Sequence, residues 1–147
     1  MSIDGRELRN ALGRFATGVC VITALNDKGE AVGMTANSFS SVSLDPPLVL
    51  WSLQNNSDVY DTYAYARRFV INILSSDQLD LSNLYAKKGD HLMAPEHFRI
   101  GVNGAPVIRD ALVSCECDLD ATHEGGDHLI IVGRVQNLES RPTGDPL

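Results

Sequence analysis

Residues 34–50, MTANSFSSVSLDPPLVL, thread Thr35, Asn37, Ser38, Ser40, Ser41 and Ser43 between Met34, Phe39, Val42 and Leu44, with Asp45 as the only charge. A core segment drops such hydroxyls, because each buried one needs a partner, and a plain surface loop carries Lys or Glu. Uncharged donors and acceptors mixed with apolar side chains suit a flat ligand with apolar faces and polar groups around its rim. A second candidate is His128, which follows Glu124-Gly125-Gly126-Asp127. Glycine lets a ligand approach the backbone there, and the imidazole either positions a bound group or sits as a solvated turn residue.

Cys115, Cys117, His123 and His128 supply two sulfurs and two imidazoles, a set that suits zinc. C-x-C on a strand is not the usual knuckle spacing, however. A turn at Gly125-Gly126 would pair His123 with His128, well along the ladder from the cysteines. The cysteines therefore read as small buried apolar residues, and no metal is expected. Lys87 and Lys88 follow a predicted helix, where cations complement the dipole. The chain has no G-x-G-x-x-G, no G-x-x-x-x-G-K-[ST] and no G-x-S-x-G, so dinucleotide-fold, P-loop and hydrolase-elbow chemistries lack their signatures.

The elements that must hold these residues are mostly strands. Asp4 with Glu7 predicts a helix start, a stripe of Leu8, Leu12 and Phe15 follows, and Gly18 is a natural stop. Val19–Leu25 is β-branched, Asn26–Gly29 is a turn, and a second strand completes a hairpin. Pro46-Pro47 leads into the strand LVLWSL, and RFVINIL reads as a fully buried strand. Ser57 can cap a helix through about Tyr65. Ser75 with Gln78 caps another, with Leu81, Leu84 and Tyr85 on one side and Gly89 after it. Residues 89–111 read as a long loop with a helical piece near Pro95–Phe98. From Val113 the alternation is clean, with Cys115, Cys117, Leu119 and Ala121 facing one way, and HLIIVGRV runs back after the glycines. About six mostly antiparallel strands with three marginal helices predict a small α+β barrel, although pattern alone leaves barrel and sandwich open.

The 147 residues make one domain with a sizeable core, and 44% hydrophobic residues make it globular. A net charge of −7 at pH 7 opposes a nucleic-acid or anionic-membrane surface. No apolar leader or membrane-length run is present, and three cysteines suit reduced thiols, so the expected location is the cytoplasm.

Flavin fits the ligand sketched by residues 34–43: flat, apolar-faced, with carbonyl and imide groups at its rim. Tyr85 or Trp51 would add an aromatic contact, and the turn at Ser57 would take a phosphate. Four segments then act together: LRNALGRFATGVCVITA, GMTANSFSSVSLDPPLVLWSL, RFVINILSSDQLDLSNLYA and HEGGDHLIIVGRV. In this order and at these separations they cover nearly the whole chain, which resembles the short-chain flavin reductase family. These are FMN-binding split-barrel reductases that supply reduced flavin to two-component monooxygenases.

The resemblance implies a mostly β, six-stranded antiparallel split barrel spanning residues 1–147, normally a homodimer. It also implies FMN or FAD at the subunit boundary, NADH or NADPH as reductant, and a flavin-dependent monooxygenase as partner. By motif, Met34, Thr35, Ala36, Asn37 and Ser38 would meet the flavin ring and ribityl chain, and Ser40, Ser52, Leu53 and Ser57 would continue the flavin and phosphate site. Tyr85-Ala86 stands where the family commonly has Phe-Ala. His128 matches the Gly-Asp-His histidine beside the nicotinamide. Family members usually continue past the position of Pro146-Leu147 with an aromatic and basic segment, which this chain is expected to lack. Two rival readings are another flavin-dependent oxidase on the same barrel and a non-catalytic flavin-binding protein.

Overall fold

The structure, a computed structural model, describes residues 2–147. Its centre is a seven-stranded antiparallel sheet. In chain order the strands are β1 (Cys20–Leu25), β2 (Ala31–Ala36), β3 (Ser40–Leu44), β4 (Pro47–Gln54), β5 (Arg68–Ile73), β8 (Val113–Gly125) and β9 (His128–Ser140). A separate small ladder pairs β6 (Phe98–Ile100) with β7 (Pro106–Ile108). The spatial order of the main sheet is β2-β1-β5-β8-β9-β4-β3. The two edge strands, β2 and β3, are joined by only Asn37–Phe39, so the sheet must curl until its edges are neighbours. Ser38 fastens the seam, its Oγ accepting the Ser52 N–H at 2.9 Å and donating to the Ser52 carbonyl at 3.3 Å.

This confirms the mostly β, antiparallel class and corrects its detail. The main sheet has seven strands rather than six and is open along that seam. The additional strand, β3, is exposed along nearly its whole length, so no buried face produced an alternation to read. The small ladder lies inside the stretch predicted as loop.

Curling places Ile22, Val32, Trp51, Leu53, Phe69, Ile71, Cys115, Cys117 and Ile131 in one interior cluster drawn from both halves of the sheet. Trp51 meets Tyr63 edge-on at 5.3 Å and Phe69 at 6.5 Å between ring centres. Truncating one of these aromatics to Ala costs about 3–5 kcal/mol by cavity formation. Gly133 on β9 is obligatory for the same packing, since a Cβ there would lie 2.6 Å from the tip of Phe69. All three thiols are free and buried. Burial pushes Cys20 up to about 12, with the Cys115 thiol adding to the effect, and burial raises Cys115 and Cys117 as well.

β5 is buried on both faces, as its unbroken apolar run predicts. The outer face is covered by the small ladder, which Asn72 anchors. Its Nδ2 donates to the Val21 carbonyl and Thr23 Oγ1, while its Oδ1 accepts from Ile108 N and Ser114 Oγ. Ser114 and Glu116 alternate with the inward cysteines as predicted, but this cover buries them too. Glu116 accepts from Asn103 N at 2.9 Å and Asn137 Nδ2 at 2.5 Å.

Three helices lie at the margins: α1 (Gly5–Leu12), α2 (Tyr60–Ala64) and α3 (Leu79–Ala86). Asp4 caps α1 by accepting the Arg6 N–H, but the predicted stripe buries nothing, and Leu8, Leu12 and Phe15 are exposed. α2 is shorter than predicted and starts after Val59, with Ser57 Oγ accepting the Val59 N–H just ahead of it. Before α3, Gln78 Oε1 accepts the Ser75 N–H, whereas the Ser75 hydroxyl turns to Asp77. α3 buries Ser82 and Tyr85 and leaves Leu84 exposed; the Thr35 hydroxyl ties it to β2 through the Ser82 carbonyl at 2.7 Å. Among the described residues, no helix is long and apolar enough to cross a membrane.

Candidate functional site

A cleft of about 470 Å³ opens where the seam, the end of α3 and the β8–β9 hairpin meet. Met34–Ser38 form one wall, and Ser52, Gln54, Asn56, Ser57 and Asp58 another. Ala86, Lys88 and His91 close one side, and His128 stands on the rim. The link Asn37–Phe39 lies outside both neighbouring ladders, so strand pairing does not engage its peptide groups.

The uncharged polar run has two duties. Thr35 and Ser38 are bonded internally, to α3 and across the seam. Ser57 accepts from Val59 N, and its hydroxyl donates only to the Met34 sulfur, at 3.7 Å, a weak partner that a better acceptor would displace. The carboxamides of Asn37, Gln54 and Asn56 make no hydrogen bond to other described residues and are exposed, so they remain available to a ligand.

His128 is held firmly. It pairs with Gln54 across the ladder, and its Nδ1 lies 2.7 Å from Asp127 Oδ1. Asn55 stitches the hairpin tip to β4, its N–H donating to the Asp127 carbonyl at 2.9 Å and its Nδ2 to the Gly126 carbonyl at 3.3 Å. The hydrogen bond from His128 holds the Asp127 carboxyl below the usual carboxylate range. The turn itself is Gly126-Asp127, one residue later than predicted, with Gly126 at φ +66°. Gly125 therefore pairs with His128, and His123 faces Ile130 instead. The cysteines point into the barrel, away from both histidines' end of the ladder. Among the described residues, no three His, Cys, Asp or Glu side chains converge.

Lys88 lies beyond the end of α3, and the chain around it is pinned. The Asp58 carboxylate accepts the Gly89 N–H at 3.1 Å. His91 is bound twice to Gly33, through the Gly33 N–H to its carbonyl at 3.0 Å and through its Nδ1 to the Gly33 carbonyl at 3.1 Å. Lys88 is thereby brought to the cleft as its one Lys or Arg among the described residues.

Nine of the expected site residues line this cleft: Met34, Thr35, Ala36, Asn37, Ser38, Ser52, Ser57, Ala86 and His128. Three do not. Leu53 follows Ser52 on a strand and so faces the opposite way, fully buried in the barrel. Tyr85 precedes Ala86 on a helix and turns inward, its hydroxyl bonded to His97 Nδ1 at 2.7 Å and to Ala94 N. Ser40 points its hydroxyl at the neighbouring Ser41 carbonyl on the exposed edge. Trp51 is buried as well, so neither expected aromatic supplies a cleft wall. Gln54, Asn56, Asp58, Lys88 and His91 also line the cleft, and sequence reasoning did not place them there. A larger cavity, of about 770 Å³, borders the β1–β2 turn near Tyr65, Arg68 and Asn103, but it gathers none of the candidate residues.

A family model described as "Flavin reductase like domain" matches residues 12–147. The chain is 46% identical over 144 residues to "FMN reductase (NADH) SmoA" of Agrobacterium fabrum, covering 98% of this chain and 81% of that one. It is 42% identical over 135 residues to the reductase component of a flavin-dependent trigonelline monooxygenase of Acinetobacter baylyi, covering 92% of this chain and 44% of that one. The chain thus spans less than half the length of some curated relatives it matches. Among solved structures, the Streptomyces globisporus NADH:FAD oxidoreductase SgcE6, in complex with NAD and FAD fragments, superposes with a TM-score of 0.89 at 32% identity. That match covers 99% of this chain and 90% of that one.

Proposed function

The chain belongs to the flavin reductase like domain family, and from that premise we propose that it is an NAD(P)H-dependent flavin reductase that delivers reduced FMN or FAD to a separate flavin-dependent monooxygenase. The observation that carries the reading is the cleft's polar lining: three unengaged carboxamides, one lysine and one imidazole held through its Nδ1, around Met34, Ala36 and Ala86. This combination fits a flat ring with a polar rim and a single anionic end, and the cleft's volume is within the ordinary range for small-ligand sites, about 300–1,000 Å³.

When bound, flavin and dihydronicotinamide would supply the redox chemistry, a hydride transfer from the nicotinamide to the flavin. The chain's work is placement. Met34, Ala36 and Ala86 present apolar surface to the ring. Asn37 and the adjacent peptide N–H groups offer donors to the rim, where negative charge gathers on reduction. Ser57 and Lys88 are suited to a phosphate, and His128 to orienting the nicotinamide within reach.

Residues 1–147 form, in this reading, one reductase-like domain that works as a homodimer. The exposed apolar residues Leu12, Phe15 and Leu44 support a second subunit. The partner oxygenase is inferred from relatives that are reductase components. A cytoplasmic location rests on three free cysteines. The test is anaerobic mixing of protein, FMN and NADH. Catalytic bleaching of the flavin supports a reductase. Flavin binding without bleaching identifies a non-catalytic flavin protein and overturns the reading.

A further inference from the structure

We propose that Asp127 is a positioning residue: it holds the His128 imidazole with its hydrogen on Nδ1, so that Nε2 offers a lone pair to the cleft and the site selects dinucleotides carrying a carboxamide over those carrying a carboxylate. The inference rests on the reductase reading and deepens it.

An ionised carboxylate only accepts. At 2.7 Å from Asp127 Oδ1, Nδ1 must therefore carry the hydrogen, and in a neutral ring the other nitrogen is then an acceptor. The Asp127 carboxyl is held below the usual range, so it stays an acceptor throughout the neutral region. The backbone that carries the pair is fixed as well. Asp127 sits in a two-residue turn whose two carbonyls are both tied to Asn55, and His128 is locked in register with Gln54. His91, also on the cleft, repeats the pattern: its Nδ1 faces the Gly33 carbonyl, which again leaves Nε2 as acceptor. Both imidazoles thus ask the ligand for a donor. A nicotinamide carboxamide has an N–H₂ to give. A nicotinic-acid ring presents only lone pairs and a negative charge, in a chain whose net charge is already −7.

The experiment pairs a spectroscopic readout with a kinetic one, on the whole chain at about pH 8, where an ordinary histidine is neutral. Imidazole ¹⁵N spectra report which His128 nitrogen bears hydrogen. Reduction kinetics compare NADH with reduced nicotinic acid adenine dinucleotide, using the same flavin. The wild type is expected to show hydrogen on Nδ1 and to favour NADH by about tenfold or more in kcat/KM, the effect of one hydrogen bond of ordinary strength. Asp127→Ala is expected to release the tautomer and bring the preference within about threefold. Asp127→Asn, whose amide oxygen still accepts, is expected to restore both. Asp127 is exposed at a hairpin tip and its backbone bonds survive replacement, so the variants fold. Hydrogen on Nε2 in the wild type overturns the proposal, as does equal use of the two dinucleotides while flavin is reduced. Reduction by neither dinucleotide overturns the reductase reading and the selectivity with it, and the ring spectrum still decides the tautomer on its own.

Discussion

Asp58 and Gly89 are joined beside the cleft, the Asp58 carboxylate accepting the Gly89 N–H at 3.1 Å. That bond fastens the turn after β4 to the segment after α3, so the two walls carrying Ser57 and Lys88 keep a fixed separation. Gly89 is at φ +137°, a conformation that a side chain strains. Asp58→Ala is expected to raise the FMN dissociation constant by about three- to tenfold. Gly89→Ala should do the same through the backbone. Fluorescence titration with FMN checks both, and unchanged affinity in both would show that the bond does not shape the site.

Lys88 is the one Lys or Arg on the cleft among the described residues. Lys88→Gln is expected to weaken FMN by about tenfold, the loss of one charge-assisted hydrogen bond, and to leave riboflavin within about twofold. Comparing the two ligands isolates the phosphate. Equal losses would place Lys88 elsewhere on the flavin.

Asn37→Leu removes a carboxamide that bonds to no other described residue. Thermal stability should therefore hold while flavin binding weakens by about 1–3 kcal/mol, provided the flavin group it meets is left buried and unpaired. Isothermal titration beside a melting curve separates the two effects.

Much of this was readable in the chain. Six strands announced themselves through β-branched runs such as Val19–Leu25 and the alternation around Cys115 and Cys117. β3 did not, because Ser40–Leu44 lies exposed at an edge, and the three-residue strands β6 and β7 are too short to show a period. That Met34–Ser38 and His128 belong together in the candidate cleft was legible because uncharged polar residues and a Gly-Asp-His turn are unusual company for a strand end. Gln54, Asn56, Lys88 and His91 were not, since only the curl of the sheet and the pinned loop after α3 bring them together. Leu53 and Tyr85 turn away from the cleft although their neighbours Ser52 and Ala86 line it. One step along a strand or helix turns a side chain away from its neighbour's face.

The three thiols give a prediction independent of function. Cys20, Cys115 and Cys117 are buried and their ionisation is pushed up, Cys20 to about 12. The thiolate is the reactive form, so a thiol reagent at mildly alkaline pH should label none of them in the native protein and all three after denaturation. Rapid labelling of the folded protein would contradict the packing of the barrel.

The central claim is that this cleft holds flavin where His128 can orient a dihydronicotinamide against it. Anaerobic stopped-flow reduction at varied NADH, run on the wild type and on His128→Ala beside a flavin titration of each, tests it most directly. The wild type should reduce its flavin with a rate that saturates in NADH. His128→Ala should need about tenfold more NADH and reduce more slowly, with flavin affinity within about twofold, because the lost contact is to the nicotinamide. A wild-type protein whose flavin stays oxidised, or a mutant that loses flavin yet reduces the remainder at the normal rate, would contradict the account.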